Sequence, residues 1–98
     1  MRVPSKFDAP ESLRELLGEI VIVDTDAHYV HLGRLESAGH DFLKLSQVDV
    51  HEVTRSSLSK ERYVHEAKSI GIRPNRKFTW INMARVVSLS RLDDLEEF

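Results

Sequence analysis

From Leu17 to Val53 the chain reads LGEIVIVDTDAHYVHLGRLESAGHDFLKLSQVDVHEV, three apolar and β-branched runs cut by two short polar turns. Such a stretch predicts three successive strands of a small barrel. Glu19 to Thr25 is apolar on both faces in its middle, as expected of a strand covered on one side by the barrel interior and on the other by a helix or neighbour. Asp24 to Ala27 supplies the first turn. His28 to Glu36 then returns, with Tyr29, His31, Gly33 and Leu35 on one face and Val30, Leu32 and Arg34 on the other. Gly33 sits inside this strand, where a tightly coiled sheet must bend. After Ser37 to Gly39, Phe42 to Val53 forms a long third strand whose pattern shifts phase near Ser46 and Gln47, the mark of a bulge.

The flanking segments supply two helices and two more strands. Asp8, Pro10 and Glu11 make a helix start, Leu13, Leu16 and Leu17 share one face, and Gly18 is a left-handed stop. After Val53, the hydroxyls of Ser56, Ser57 and Ser59 offer caps for a second helix with Tyr63, Val64, Ala67 and Ile70 at helical spacing and Gly71 at its end. This helical insertion occupies about 56 to 71. Residues 73–77 form a basic turn into a strand from Phe78 to Asn82, and Arg85 to Ser90 is the last strand. An acidic tail over 91–98 is read as a short helix or a docking segment. The predicted core is Leu13, Leu16, Leu17, Ile20, Ile22, Leu35, Phe42, Leu45, Ile81, Val86 and Leu89, with Val30 also a candidate.

A chain of 98 residues makes one domain, residues 1–98, and can bury roughly two-thirds of its unfolded surface. The formal charge of −2 gives no global drive toward nucleic acid, so any such binding needs a local basic patch. The absence of cysteine excludes a disulfide framework and thiolate metal sites and fits a reducing compartment. A cytoplasmic location is expected. No run approaches the ~20 apolar residues that span a bilayer, and the N-terminus has no apolar leader segment, so neither secretion nor a membrane partner is expected.

The order of a short helix, three meandering strands, an insertion and two strands joined by a minimal turn resembles the Sm-like family. A first motif is similar to Gly18 through Leu45: Gly18, the turn at Asp24 to Ala27, Gly33-Arg34-Leu35, then Phe42 and Leu45. A second is similar to Ile81 through Leu89, with Ile81, Val86 and Leu89 at its apolar positions. The resemblance implies a mainly β fold, a five-stranded Sm-like or SH3-like small barrel with an N-terminal helix and a helical insertion before the fourth strand. It also implies a homo-oligomer, a ring closed by pairing the last two strands between subunits. The chain departs from the family at the nucleotide pocket. Gly39 and Leu43 stand where the family carries aspartate and asparagine, Asp41 is out of step, and Asn82 and Met83 replace the terminal arginine and glycine. The usual uridine site therefore does not carry over.

Chemistry-bearing residues are sparse. His28 and His31 are three apart in a predicted strand and so face opposite ways, which argues against a shared metal ion. His51-Glu52 and His65-Glu66 approach each other only if the inserted helix folds back. There is no phosphate loop, no nucleophile with a base and no paired carboxylate site, so an enzyme, a cofactor and a metal are not expected. The best ligand-binding candidates are Arg73, Arg76, Lys77 and Trp80, because cations beside aromatics suit phosphate contact and base stacking. Against this, alternation puts Phe78 and Trp80 on one strand face, and that face is expected to be the core. The expectation is a self-assembling interaction scaffold; the alternative is an RNA-binding module that uses the basic turn.

Overall fold

The computed structural model describes residues 11–53 and 59–96. The capping residues expected at Asp8 and Pro10, and those at Ser56 and Ser57, lie outside them. Five strands, β1 (Ile20–Thr25), β2 (Tyr29–Ala38), β3 (Phe42–Glu52), β4 (Arg76–Asn82) and β5 (Val86–Arg91), form one antiparallel sheet in the order β4-β3-β2-β1-β5. The sheet does not close into the expected barrel: β4 pairs only with β3 and β5 only with β1, so it is open between β4 and β5. A 3-10 turn, Met83–Arg85, joins them, capped by the Asn82 side chain, which accepts from the Ala84 amide at 2.9 Å.

The sheet bends where β2 crosses the middle of β3. Between Leu32 and Arg34 the β2–β3 register shifts, and opposite this point Gln47 takes a φ of 49°, so the third strand is bulged where its pattern changes phase. Gly33 lies against the bulge. A Cβ there would meet the Ser46 carbonyl oxygen at 3.0 Å and a Val48 methyl at 3.2 Å, so the strands approach closely only because glycine has no side chain.

The curled sheet has a core on each side. Inside lie Val21, Val23, Leu35, Leu43, Leu45, Val48 and Ile81, closed by Leu13, Leu16 and Leu17 from the short helix α1 (Glu11–Arg14) and the turn after it. On the outer face, Ile22 of β1 and Val30 and Leu32 of β2 are covered by Val64 and Ala67 of helix α2 (Lys60–Ile70). This double coverage explains the unbroken apolar run in β1. Ser59 caps α2, accepting from the Arg62 amide at 3.2 Å, and Gly71 ends it with a φ of 91°, open to glycine at no steric cost. The tail docks on its own chain over Leu92 to Leu95. Leu92 in a second 3-10 turn (Leu92–Asp94) is buried in the outer core, Leu95 packs beside it, and the Lys68 ammonium donates to the Leu95 carbonyl.

Of the predicted core, Ile22, Val30, Leu35, Leu45 and Ile81 are buried, and Leu13, Leu16, Leu17, Ile20, Val86 and Leu89 are packed against it at its margins. Phe42 is a correction: it is 51% exposed. Leu43 and Leu45 point inward, and strand alternation then sends Phe42 out.

Candidate functional site

The outer face of β3 and β4 is the site the sequence hid. The register pairs Lys44 with Trp80, Ser46 with Phe78 and Phe42 with Asn82, which sets Phe42, Lys44, Phe78 and Trp80 on one face. Phe78 is 49% exposed and Trp80 59% exposed, so the expectation that these rings fill the core is overturned. The parity was right and the face was wrong. Thr79 and Ile81 take the inner face, opposite Leu45 and Leu43, and the interior at that level is already occupied by those leucines. The rings of Phe78 and Trp80 lie 6.1 Å apart at 42°, and the Lys44 ammonium sits 4.6 Å from the Phe78 centroid and 5.1 Å from that of Trp80. This is a cation held over two aromatic faces that remain open to solvent. On its inner flank the Ser46 hydroxyl donates to the Glu36 carboxylate.

The basic turn does not act as one patch. Arg73 lines a cleft of about 250 Å³ between α2 and β3, together with Asp49, His51, Tyr63 and Glu66. Lys77 lies with Gln47, Pro74 and Asn75 around a shallow depression. Arg76 is bound to the Asn75 side-chain oxygen at 2.8 Å and borders both that depression and the inner mouth of the sheet. Only Trp80 belongs to the aromatic face. Lys44 and Phe42, which complete it, could not be found without the β3–β4 register, because nothing in their local sequence says which residues of β4 lie beside them.

The cleft under α2 brings His51 and Glu66 to one place, as expected if the insertion folds back over the sheet. His51 stacks on Tyr63 with ring centroids 4.0 Å apart and planes 11° apart. The Tyr63 hydroxyl donates to Asp49, whose other oxygen accepts from the Asn75 amide at 3.3 Å. Burial, and then the hydrogen bond to Asp49 and its negative charge, push the Tyr63 hydroxyl well above the usual phenol range. It stays protonated and serves as a strut. His28 lies in the exposed turn before β2 rather than in a strand, and His31 is half-buried in β2. Among the described residues no group of three or more His, Asp or Glu is gathered to hold a metal, and no helix is long and apolar enough to cross a membrane.

Set against known proteins, the chain matches no family model and none of the curated proteins.

Proposed function

We propose that this chain is a non-enzymatic Sm-like domain that self-assembles and acts as a scaffold for protein interaction. One observation carries the reading: β4 pairs only with β3 and β5 only with β1, so the open sheet ends in two strand edges that have no partner among the described residues. Such edges carry rows of free N–H and C=O groups and are a liability unless another strand covers them. Antiparallel pairing of β4 from one copy with β5 of the next satisfies both at once and repeats until a ring closes. Val87, 70% exposed on β5, gives that edge an apolar contact. The strand order, the short 3-10 joint and the insertion after β3 fit the Sm-like arrangement. The family's nucleotide positions are otherwise engaged. Leu43 is fully buried, Asn82 caps a turn and Met83 packs on the core, which favours assembly over the family's usual ligand.

Light scattering after size exclusion, with and without a mixed pool of short RNAs, tests this. The expected result is a closed oligomer whose mass ignores RNA; a strict monomer over a wide concentration range overturns it.

The exposed aromatic face supports a second reading, single-stranded RNA stacked on Phe78 and Trp80 with Lys44 near its phosphates. Trp80 is the sole tryptophan, so its fluorescence reports directly on stacking. Quenching by single-stranded RNA at low salt that disappears at high salt supports this reading, and unchanged emission at low salt ends it.

A further inference from the structure

At the inner mouth of the sheet, between the β1–β2 turn and the start of β4, lies a concavity of about 390 Å³. Its polar lining is Thr25, Asp26, His31, Arg76, Thr79 and Arg85, and Val50 and Tyr29 supply apolar surface. Two of these residues carry atoms that the fold leaves without a use. His31 Nδ1 and Thr79 Oγ1 are both buried and have no hydrogen-bond partner among the described residues. A buried polar atom without a partner costs on the order of 1–3 kcal/mol, so two in one cavity call for an occupant that satisfies both. The charge of the lining identifies its sign. Two guanidiniums face one carboxylate, and that carboxylate, Asp26, is already bound to Arg85 Nε at 2.8 Å, which leaves the remaining Arg85 nitrogens, and the Arg76 nitrogens other than the one bound to Asn75, for a ligand.

We propose that this mouth is a binding site for a compact oxyanion, a phosphate or carboxylate group carried on a small molecule. Arg76 and Arg85 supply charge and forked N–H donors, the Thr79 hydroxyl donates, and His31 donates through Nδ1 in its neutral tautomer. Burial first, and the charge of the Arg76 guanidinium second, lower the His31 pKa, which keeps the ring neutral at pH 7. The same arrangement disfavours a metal cation, which would meet two guanidiniums. The volume exceeds that of a bare phosphate, which leaves room for the body of the ligand against Val50 and Tyr29. The site lies on the other side of the sheet from the aromatic face and takes its whole lining, Arg76 and Thr79 of β4 included, from one chain, so its anion binding is tested separately from assembly.

Isothermal titration calorimetry with inorganic phosphate and, separately, acetate tests the proposal, on the wild type, Arg76→Gln and Thr79→Val. The expected result is one site per chain for at least one anion, weakened about tenfold by Arg76→Gln. Tighter binding of phosphate than of acetate identifies a phosphate ligand, and the reverse identifies a carboxylate. Thr79→Val separates a ligand role from a merely structural one: removing an unpartnered buried hydroxyl raises the Tm of the free protein, and it also lowers anion affinity if the hydroxyl donates to the ligand. No heat from either anion up to about 50 mM, or an affinity unchanged in both variants, overturns the proposal.

Discussion

Single residues set the curvature of this sheet. Gly33 lets β2 run against the bulge in β3, and an added methyl has only backbone and a rigid valine to push against. Gly33→Ala is expected to destabilise the fold by about 1–3 kcal/mol, read as a drop in the urea midpoint at unchanged slope. His31 sets a pH dependence of opposite origin from that of a salt bridge. Its folded pKa lies below the ordinary value of 6.5, so as pH falls through 6.5 the unfolded chain takes up a proton that the folded chain does not. Its contribution to stability is complete above that pH and is lost progressively below it. Urea titrations between pH 7.5 and 5 are expected to show this loss, and His31→Asn is expected to flatten it. Gly33 and the Ser46-Gln47 phase shift were both legible as bend points from the sequence. The burial of His31 was not, because its covering residues come from β3 and β4.

At the scale of elements, α2 is fastened at both ends and along its length. Lys60 pairs with Asp24 at 2.6 Å, Tyr63 reaches Asp49, Val64 and Ala67 cover β1 and β2, and Lys68 holds the tail through Leu95. The surface ion pair contributes little beside the burial. Val64→Ala, which removes two methyl groups from a 3% exposed position, is expected to cost about 2 kcal/mol in chemical denaturation. The helix and its end at Gly71 were readable from spacing, and the structure selects Ser59 as the cap from the three serines on offer. Its docking site was readable only by implication, from a β1 run apolar on both faces. β4 shows the limit of the same logic. Alternation grouped Phe78 with Trp80 correctly, yet two-residue periodicity identifies partners on a face and not which face is covered. The outer face of β1 and β2 has α2 over it; the large rings on the outer face of β4 have the Lys44 ammonium beside them and are exposed.

For the whole molecule the decisive feature is the opening between β4 and β5. If assembly runs through these edges, Val87→Lys places a charge at the joint without touching either core and is expected to shift the light-scattering mass toward the monomer. Far-UV circular dichroism should stay unchanged, which separates lost assembly from lost fold. The four candidate residues at 73, 76, 77 and 80 are distributed over the helix cleft, the sheet mouth, the shallow depression beside Gln47 and the aromatic face. Sequence neighbours in a turn and a strand diverge in direction within a few residues, so adjacency along the chain did not translate into a shared surface.

The sequence by itself determined the elements: five strands, their bends, a capped insertion helix and the absence of any cysteine, all encoded in local periodicity and in residues with particular backbone needs. Only the tertiary structure decided which faces those elements cover, that the sheet stays open, that Lys44 meets Phe78 and Trp80, and that His31, Thr79 and Arg76 line one mouth. Those outcomes depend on register between segments far apart in the chain, and no local pattern of residue types carries that information.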